Sequence, residues 1–283
     1  MYKVFKFKNM SQAAPYMDAQ VFDYINGCES ESFEGLSGFD LIAFDFFDKT
    51  APESSEEKIM AYLDKEDLFF FCEDDMSARR VADIMQRQDT ANTPHDRLLY
   101  EFFSKLLKGD GANLDRIEEE LNDEEETIMS GGDISADEVI TARRKELLRL
   151  KRYYGQLSGI FDDICTNDNG LLSDAAVRLL TVLGTRCERY YNEVCSLQEI
   201  VDRMREAYQS QLEIKQNELM KLFTVVTVIF LPLTLLVGWY GMNFTSMPEI
   251  HWRFGYLAVI AVSIATVIFL IWYFKRKKVV LDF

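Results

Sequence analysis

The chain has 283 residues, a formal net charge of −16, 48% hydrophobic residues and 28% charged ones. This apolar content excludes a disordered chain, and the acidic balance excludes nucleic-acid binding, which depends on Lys and Arg to meet phosphates. The charge is unevenly spread. Residues 222–283 carry Arg253, Lys275, Arg276, Lys277 and Lys278 against Glu249 and Asp282, a net of +3, which leaves −19 on residues 1–221. Such a body suits cations or basic partners.

From the N-terminus, the runs YKVFKF, DLIAFDFF and DLFFFCED within residues 1–75 have strand composition and are separated by acidic, turn-prone segments. Residues 77–112 read as helical, so residues 1–112 are expected to form an α/β domain whose strand order the sequence does not specify. The N-terminal MYKVFKFKNMSQ lacks the apolar stretch of a secretory signal. Cys28, Cys72, Cys165, Cys187 and Cys195 show no CxxC spacing and only His95 and His251 accompany them, so no zinc set assembles. An odd count without pairing fits a reducing compartment and a cytoplasmic location for this part.

Between Asn113 and Glu138 lie eleven acids and one Arg, with Leu114, Ile117 and Leu121 at helical spacing and a break at Gly131-Gly132. The following segment, about Asp137 to Ile164, is rich in Arg, Lys and Leu. Residues 113–170 therefore read as a helical hairpin with charge-complementary arms, most of its acids simply solvated. Asn167 to Gly170 breaks the helix again. From about Leu172 there is no Pro until Pro232, so residues 171–221 are expected to form a stalk helix running unbroken into the apolar segment that follows. A helix of that length cannot bury its face alone and implies self-association.

LFTVVTVIFLPLTLLVGWY (222–240) and FGYLAVIAVSIATVIFLIWYF (254–274) contain no charge, and each is long enough to span a bilayer core. Trp239, Tyr240, Trp272 and Tyr273 stand at interfacial positions. Lys215 and Lys221 before the first span and the basic residues 275–278 after the second place both termini in the cytoplasm by the positive-inside rule. The loop 241–253 then faces outward and 275–283 forms a basic cytoplasmic tail. A phosphate loop, an HExxH motif and a Ser-His-Asp set are all missing, so no enzyme activity is expected.

One heptad face of the first span collects small and hydroxyl-bearing residues. Asn217, Thr224, Leu231 and Gly238 are seven apart, as are Met220, Thr227, Thr234 and Gly241. Such a stripe can line a water path or let identical helices approach closely. Thr can also satisfy its hydroxyl on its own helix, so the pattern alone leaves both roles open. Backward, the second row continues through Glu213, Glu206 and Glu199, which become stacked carboxylate rings if the supercoil keeps phase and solvated acids if it drifts. Met220, Leu231 and the adjacent Phe223 are candidates for an apolar gate that closes by dewetting.

At the outer end of the first span the sequence reads Tyr240-Gly241-Met242-Asn243-Phe244, then Met247-Pro248-Glu249-Ile250. This resembles the signature of the CorA magnesium transporter family, whose hallmark is the GMN tripeptide. The resemblance extends through Asn217-Glu218-Leu219-Met220-Lys221 and Phe230-Leu231-Pro232-Leu233-Thr234, covering about residues 210–278. It implies a funnel-shaped homopentamer with a cytoplasmic domain, a long stalk helix and two membrane helices per subunit, set in the bacterial inner (plasma) membrane. It also implies that Gly241, Met242 and Asn243 form a selectivity filter and that Glu249 gathers cations outside. Mg²⁺ sheds its water reluctantly, so a ring of Asn243 amides is expected to recognise it hydrated, with Asn243 the metal-facing residue. No cofactor is expected. Mg²⁺ is both substrate and candidate regulator, and Co²⁺ and Ni²⁺ are further candidate substrates. Phe223, where the family more often has a smaller aliphatic residue, and the terminal VVLDF depart from the pattern. A zinc-transporting GMN relative and a membrane-anchored helical sensor without ion flux are the competing readings.

Overall fold

The computed structural model describes residues 1–27, 32–48, 57–86, 93–130, 135–242, 247 and 252–276. They form two compact units, Met1–Arg205 and Glu206–Phe283. The first is built on a five-stranded sheet of β1 (Tyr2–Lys6), β2 (Phe33–Leu36), β3 (Phe39–Phe46), β4 (Glu57–Leu63) and β5 (Leu68–Cys72), in the order β1-β5-β4-β3-β2. All neighbours are antiparallel except β1 and β5, which run parallel with Tyr2 opposite Leu68. Every residue of β5 is buried, the mark of a strand covered on both faces.

Strand alternation divides the aromatic residues between those faces. Phe69 and Phe71 join Phe5, Met10, Ile25, Leu41, Met60 and Tyr62 in one cluster, covered by the 3-10 turns of residues 7–16 and helix α1 (Ala19–Gly27). Phe70 points the other way, with its ring 4.5 Å from that of Phe102. Phe103 continues this second cluster between Phe44 (5.7 Å) and Phe161 (5.0 Å). Each such ring pair adds about 0.5–1.5 kcal/mol beyond the area it buries.

Helices α2 (Asp75–Met85) and α3 (His95–Leu106) follow the sheet. The helical reading of residues 77–112 holds as separate helices, since α2 ends at Met85 and α3 starts at His95. The chain leaves helix after Leu106, Gly109 adopts φ 86°, and α4 (Asp110–Met129) begins there as a separate element. A left-handed residue at this point suits glycine and interrupts the helix. Helix α5 (Ala136–Thr166) ends on Asn167, also left-handed at φ 50°. The Asn167 side chain clamps the turn, accepting from the Leu172 amide at 3.0 Å and donating to its carbonyl at 2.9 Å. The Gly131-Gly132 break lies outside the described residues.

Arg143 of α5 links the hairpin arms. Its guanidinium donates to Glu120 (2.7 Å) and Glu124 (2.8 Å) of α4 and to Glu146 (3.0 Å) on its own helix. The hydrogen bonds it donates to Glu124 hold the Arg143 proton more tightly than usual. Partial burial works against ionisation of Glu120, but hydrogen bonds from Arg143 and Arg116 prevail and lower its carboxyl pKa. Among the described residues, the complementarity read from composition is realised at Arg143, one cation shared by several acids.

Helix α6 (Asp174–Tyr240) is 67 residues long, roughly 100 Å. Leu180, Leu183, Cys187, Tyr190, Val194, Leu197, Val201 and Met204 form its buried row. Gly184 lets α5 come near, since a Cβ there would stand 3.0 Å from the Phe161 Cβ. Helix α7 (Gly255–Arg276) completes the second unit.

The cap of α2 offers a direct test. Asp74 Oδ1 accepts from the amides of Met76 and Ser77, both at 2.9 Å, and the Asp74 amide donates to Ser77 Oγ. The bonds from Ser77 hold this carboxyl below its ordinary range. We expect Asp74→Ala to lower stability by about 1 kcal/mol at neutral pH. A depressed folded-state pKa gives stability that is present above the ordinary Asp value and is lost as pH falls through the folded one. Denaturant melts should therefore show the wild-type advantage at pH 7 and its decline below about pH 4.

Candidate functional site

Past Met204, no residue of α6 is buried. Its span-length window has a mean hydropathy of 2.3, that of α7 is 2.5, and neither window is buried. Met220, Phe223 and Leu231 are two-thirds exposed (66%, 68% and 68%). Water does not tolerate that much contiguous apolar helix, so lipid or other copies of the chain must cover it.

All the sequence-selected residues of this segment that the structure describes are exposed. Asn217, Met220, Phe223, Thr224, Thr227, Leu231, Thr234 and Gly238 lie on α6, and Glu206 and Glu213 precede them on the same helix. A straight α-helix drifts about 20° per heptad, so the row from Glu213 to Gly241 stays within roughly a quarter-turn. Glu199 is also exposed, roughly half a turn from the buried row through Leu197 and Val201, and so faces away from the core of the first unit.

The three hydroxyls of the stripe are committed locally. Thr224, Thr227 and Thr234 donate to the carbonyls of Met220, Phe223 and Phe230 at 2.8, 2.7 and 2.9 Å. Their protons thus serve the helix itself, and only oxygen lone pairs remain to meet water or a hydrated cation. Pro232 sits inside α6 without ending it, as membrane helices permit.

Regular helix stops at Tyr240. The Gly241 amide still donates to the Val237 carbonyl at 2.9 Å and that of Met242 to Trp239 at 3.4 Å. A Cβ on Gly241 would lie 2.9 Å from the Val237 oxygen, so the exit from the helix requires glycine. Met242 is 44% exposed. Asn243, Glu249 and the tail residues Lys277 and Lys278 lie outside the described residues. The composition had not indicated how the span ends are held together. Leu236 and Tyr240 of α6 meet Trp252, Gly255, Ala258 and Val259 around a crevice of about 120 Å³. Gly255 and Ala258 are the small residues that permit close helix approach.

The profile described as CorA-like Mg2+ transporter protein matches residues 15–276. The chain belongs to this family. Among CorA-family relatives, the cobalt/magnesium transport protein CorA of Thermotoga maritima is 26% identical over 261 residues, 90% of this chain and 74% of that protein. The magnesium transport protein CorA of Wolinella succinogenes is 44% identical over 78 residues, 28% of this chain and 24% of its own length. In fold, the CorA magnesium transporter of Methanocaldococcus jannaschii matches 97% of this chain and 90% of its own with a TM-score of 0.75 at 19% identity. Full-length CmaX matches 97% of this chain and 87% of its own at 0.73 and 16%. The expected fold is thus the observed one, an α/β domain followed by a long helix with an apolar C-terminal part and by a second apolar helix.

The helix exit gives a prediction within one chain. Gly241→Ala should cost about 1–3 kcal/mol through its clash with the Val237 carbonyl, whereas a Cβ on Gly238 meets no atom within 4 Å. Melting of the two variants in detergent, followed by circular dichroism, should show the loss for Gly241→Ala. Wild-type melting of that variant would contradict the assignment.

Proposed function

We propose that the protein is a homopentameric Mg²⁺ channel whose pore is the polar and small-residue face of α6. The observation that carries this reading is the GMN tripeptide, Gly241-Met242-Asn243, directly after a span-length helix in a chain of the CorA-like family. Five copies around an axis is the assembly the family resemblance implies. Asn243 amides then ring the outer mouth and accept hydrogen bonds from the waters of a hydrated ion, which suits a cation that dehydrates reluctantly. Gly241 supplies the sharp exit from the helix, Met242 packs beneath the ring, and Glu249 concentrates cations outside.

Within the pore, Asn217, Thr224, Thr227, Thr234 and Gly238 form the wet face, and Met220, Phe223 and Leu231 form the apolar constriction that closes by dewetting. Glu213 and Glu206 hold cations at the inner mouth. With both termini in the cytoplasm of an inner-membrane protein, an inward divalent ion gains about 4.6 kcal/mol per 100 mV, so no energy-coupling enzyme is needed. Co²⁺ is a second candidate substrate, supported by the printed name of the Thermotoga relative, and Ni²⁺ a third on similar coordination chemistry. Internal Mg²⁺ bound between acidic first units of neighbouring subunits closes the channel. Such an ion keeps most of its waters and asks only one or two carboxylates of each neighbour.

Uptake into proteoliposomes tests the reading. Wild type should admit Mg²⁺, and Asn243→Ala should abolish uptake or admit ions unselectively. A folded wild-type oligomer that passes Zn²⁺ but no Mg²⁺ would overturn the ion assignment, and one that passes no ion would overturn transport itself.

A further inference from the structure

The first unit holds a cleft of about 640 Å³ whose charge is opposite to that of its surroundings. Lys58 of β4 and Lys151 and Arg152 of α5 line it against a single acid, Asp45, on a segment that carries −19 overall. Cations drawn from a strand and a helix distant in sequence converge there. The volume lies in the range of small-molecule sites, and the positive lining disfavours the divalent cations that the rest of the chain attracts.

The walls are constructed rather than incidental. Gln156 accepts from the Asp45 amide at 3.0 Å, tying α5 to the end of β3 beneath the opening. Lys151 Nζ donates to Gln198 at 3.1 Å and lies 5.6 Å from the Tyr191 ring centroid, so α6 steers that ammonium while its other protons stay available. Gly155 makes room for the same ring, since a Cβ there would stand 3.3 Å from Tyr191. Leu148, 51% exposed, adds an apolar edge. The combination is a set of cations beside an aromatic ring and an aliphatic side chain.

We propose that this cleft binds a nucleoside polyphosphate, with Lys58, Lys151 and Arg152 on the phosphates and Tyr191 and Leu148 against the base. Point charges and a guanidinium suit phosphate oxygens, and the ring and aliphatic edge suit a planar heterocycle. Bound there, the anion bridges β4, α5 and α6, and so reaches the helix that continues into the membrane.

The test is calorimetric titration of the full-length oligomer in detergent with ATP and, separately, inorganic tripolyphosphate, both in EDTA. Wild type should bind both saturably and more weakly as salt rises. Lys151→Gln with Arg152→Gln should weaken both by at least about tenfold. Tyr191→Leu should weaken ATP while sparing tripolyphosphate. If the double variant misfolds, Lys58→Gln alone carries the same expectation in smaller degree. Absence of saturable binding by wild type up to millimolar ligand, as when a neighbouring subunit's acids fill the cleft, would overturn the proposal, as would binding that these substitutions leave unchanged.

Discussion

The structure depends on a mismatch along one helix. Over its first turns α6 buries an ordinary 3.6-period row, Leu180 through Met204, in the first unit. Beyond that point no residue of the same helix is buried, and many of its apolar side chains are exposed. Roughly 100 Å of helix thus shares one hydrogen-bond ladder. Burial at one end and solvation by lipid or by other copies at the other therefore fall on one helix.

The electrostatics support this division. Acids of α4 and α5 are drawn together by Arg143, which lies between Glu120, Glu124 and Glu146 and offsets their repulsion. Acids on the exposed side of α6, such as Glu199, Glu206 and Glu213, have a cation-attracting role in this account. Under the proposed function the carboxylates of the chain serve two ends, and composition alone treats them alike. The cleft of Lys58, Lys151 and Arg152 adds a local reversal of sign within the acidic unit.

What the sequence made legible follows the range of the forces involved. The two spans, the long helix and the turn at Asn167 are local, since each follows from periodicity or from a residue that tolerates left-handed geometry. The sheet was less legible. β4, EKIMAYL, has a composition that suits helix as well as strand, and its identity comes from pairing with β3 and β5. The parallel pairing of Tyr2 with Leu68 is set by tertiary packing, which no local pattern encodes. At the candidate site, the stripe from Asn217 to Gly238 was readable as spacing. The commitment of Thr224, Thr227 and Thr234 to their own helix needed coordinates, as did the crevice around Gly255.

The central claim is that one face of α6 meets water in the assembled protein. Single cysteines placed along residues 217–238 of a cysteine-free background, reconstituted and exposed to a charged thiol reagent, test it most directly. The account predicts reaction at Asn217, Thr224, Thr227, Thr234 and Gly238, protection at Val226, Val228 and Leu235, and loss of ion flux on modification of the reactive positions. Uniform protection across the span, or reactivity without the seven-residue period, would contradict it.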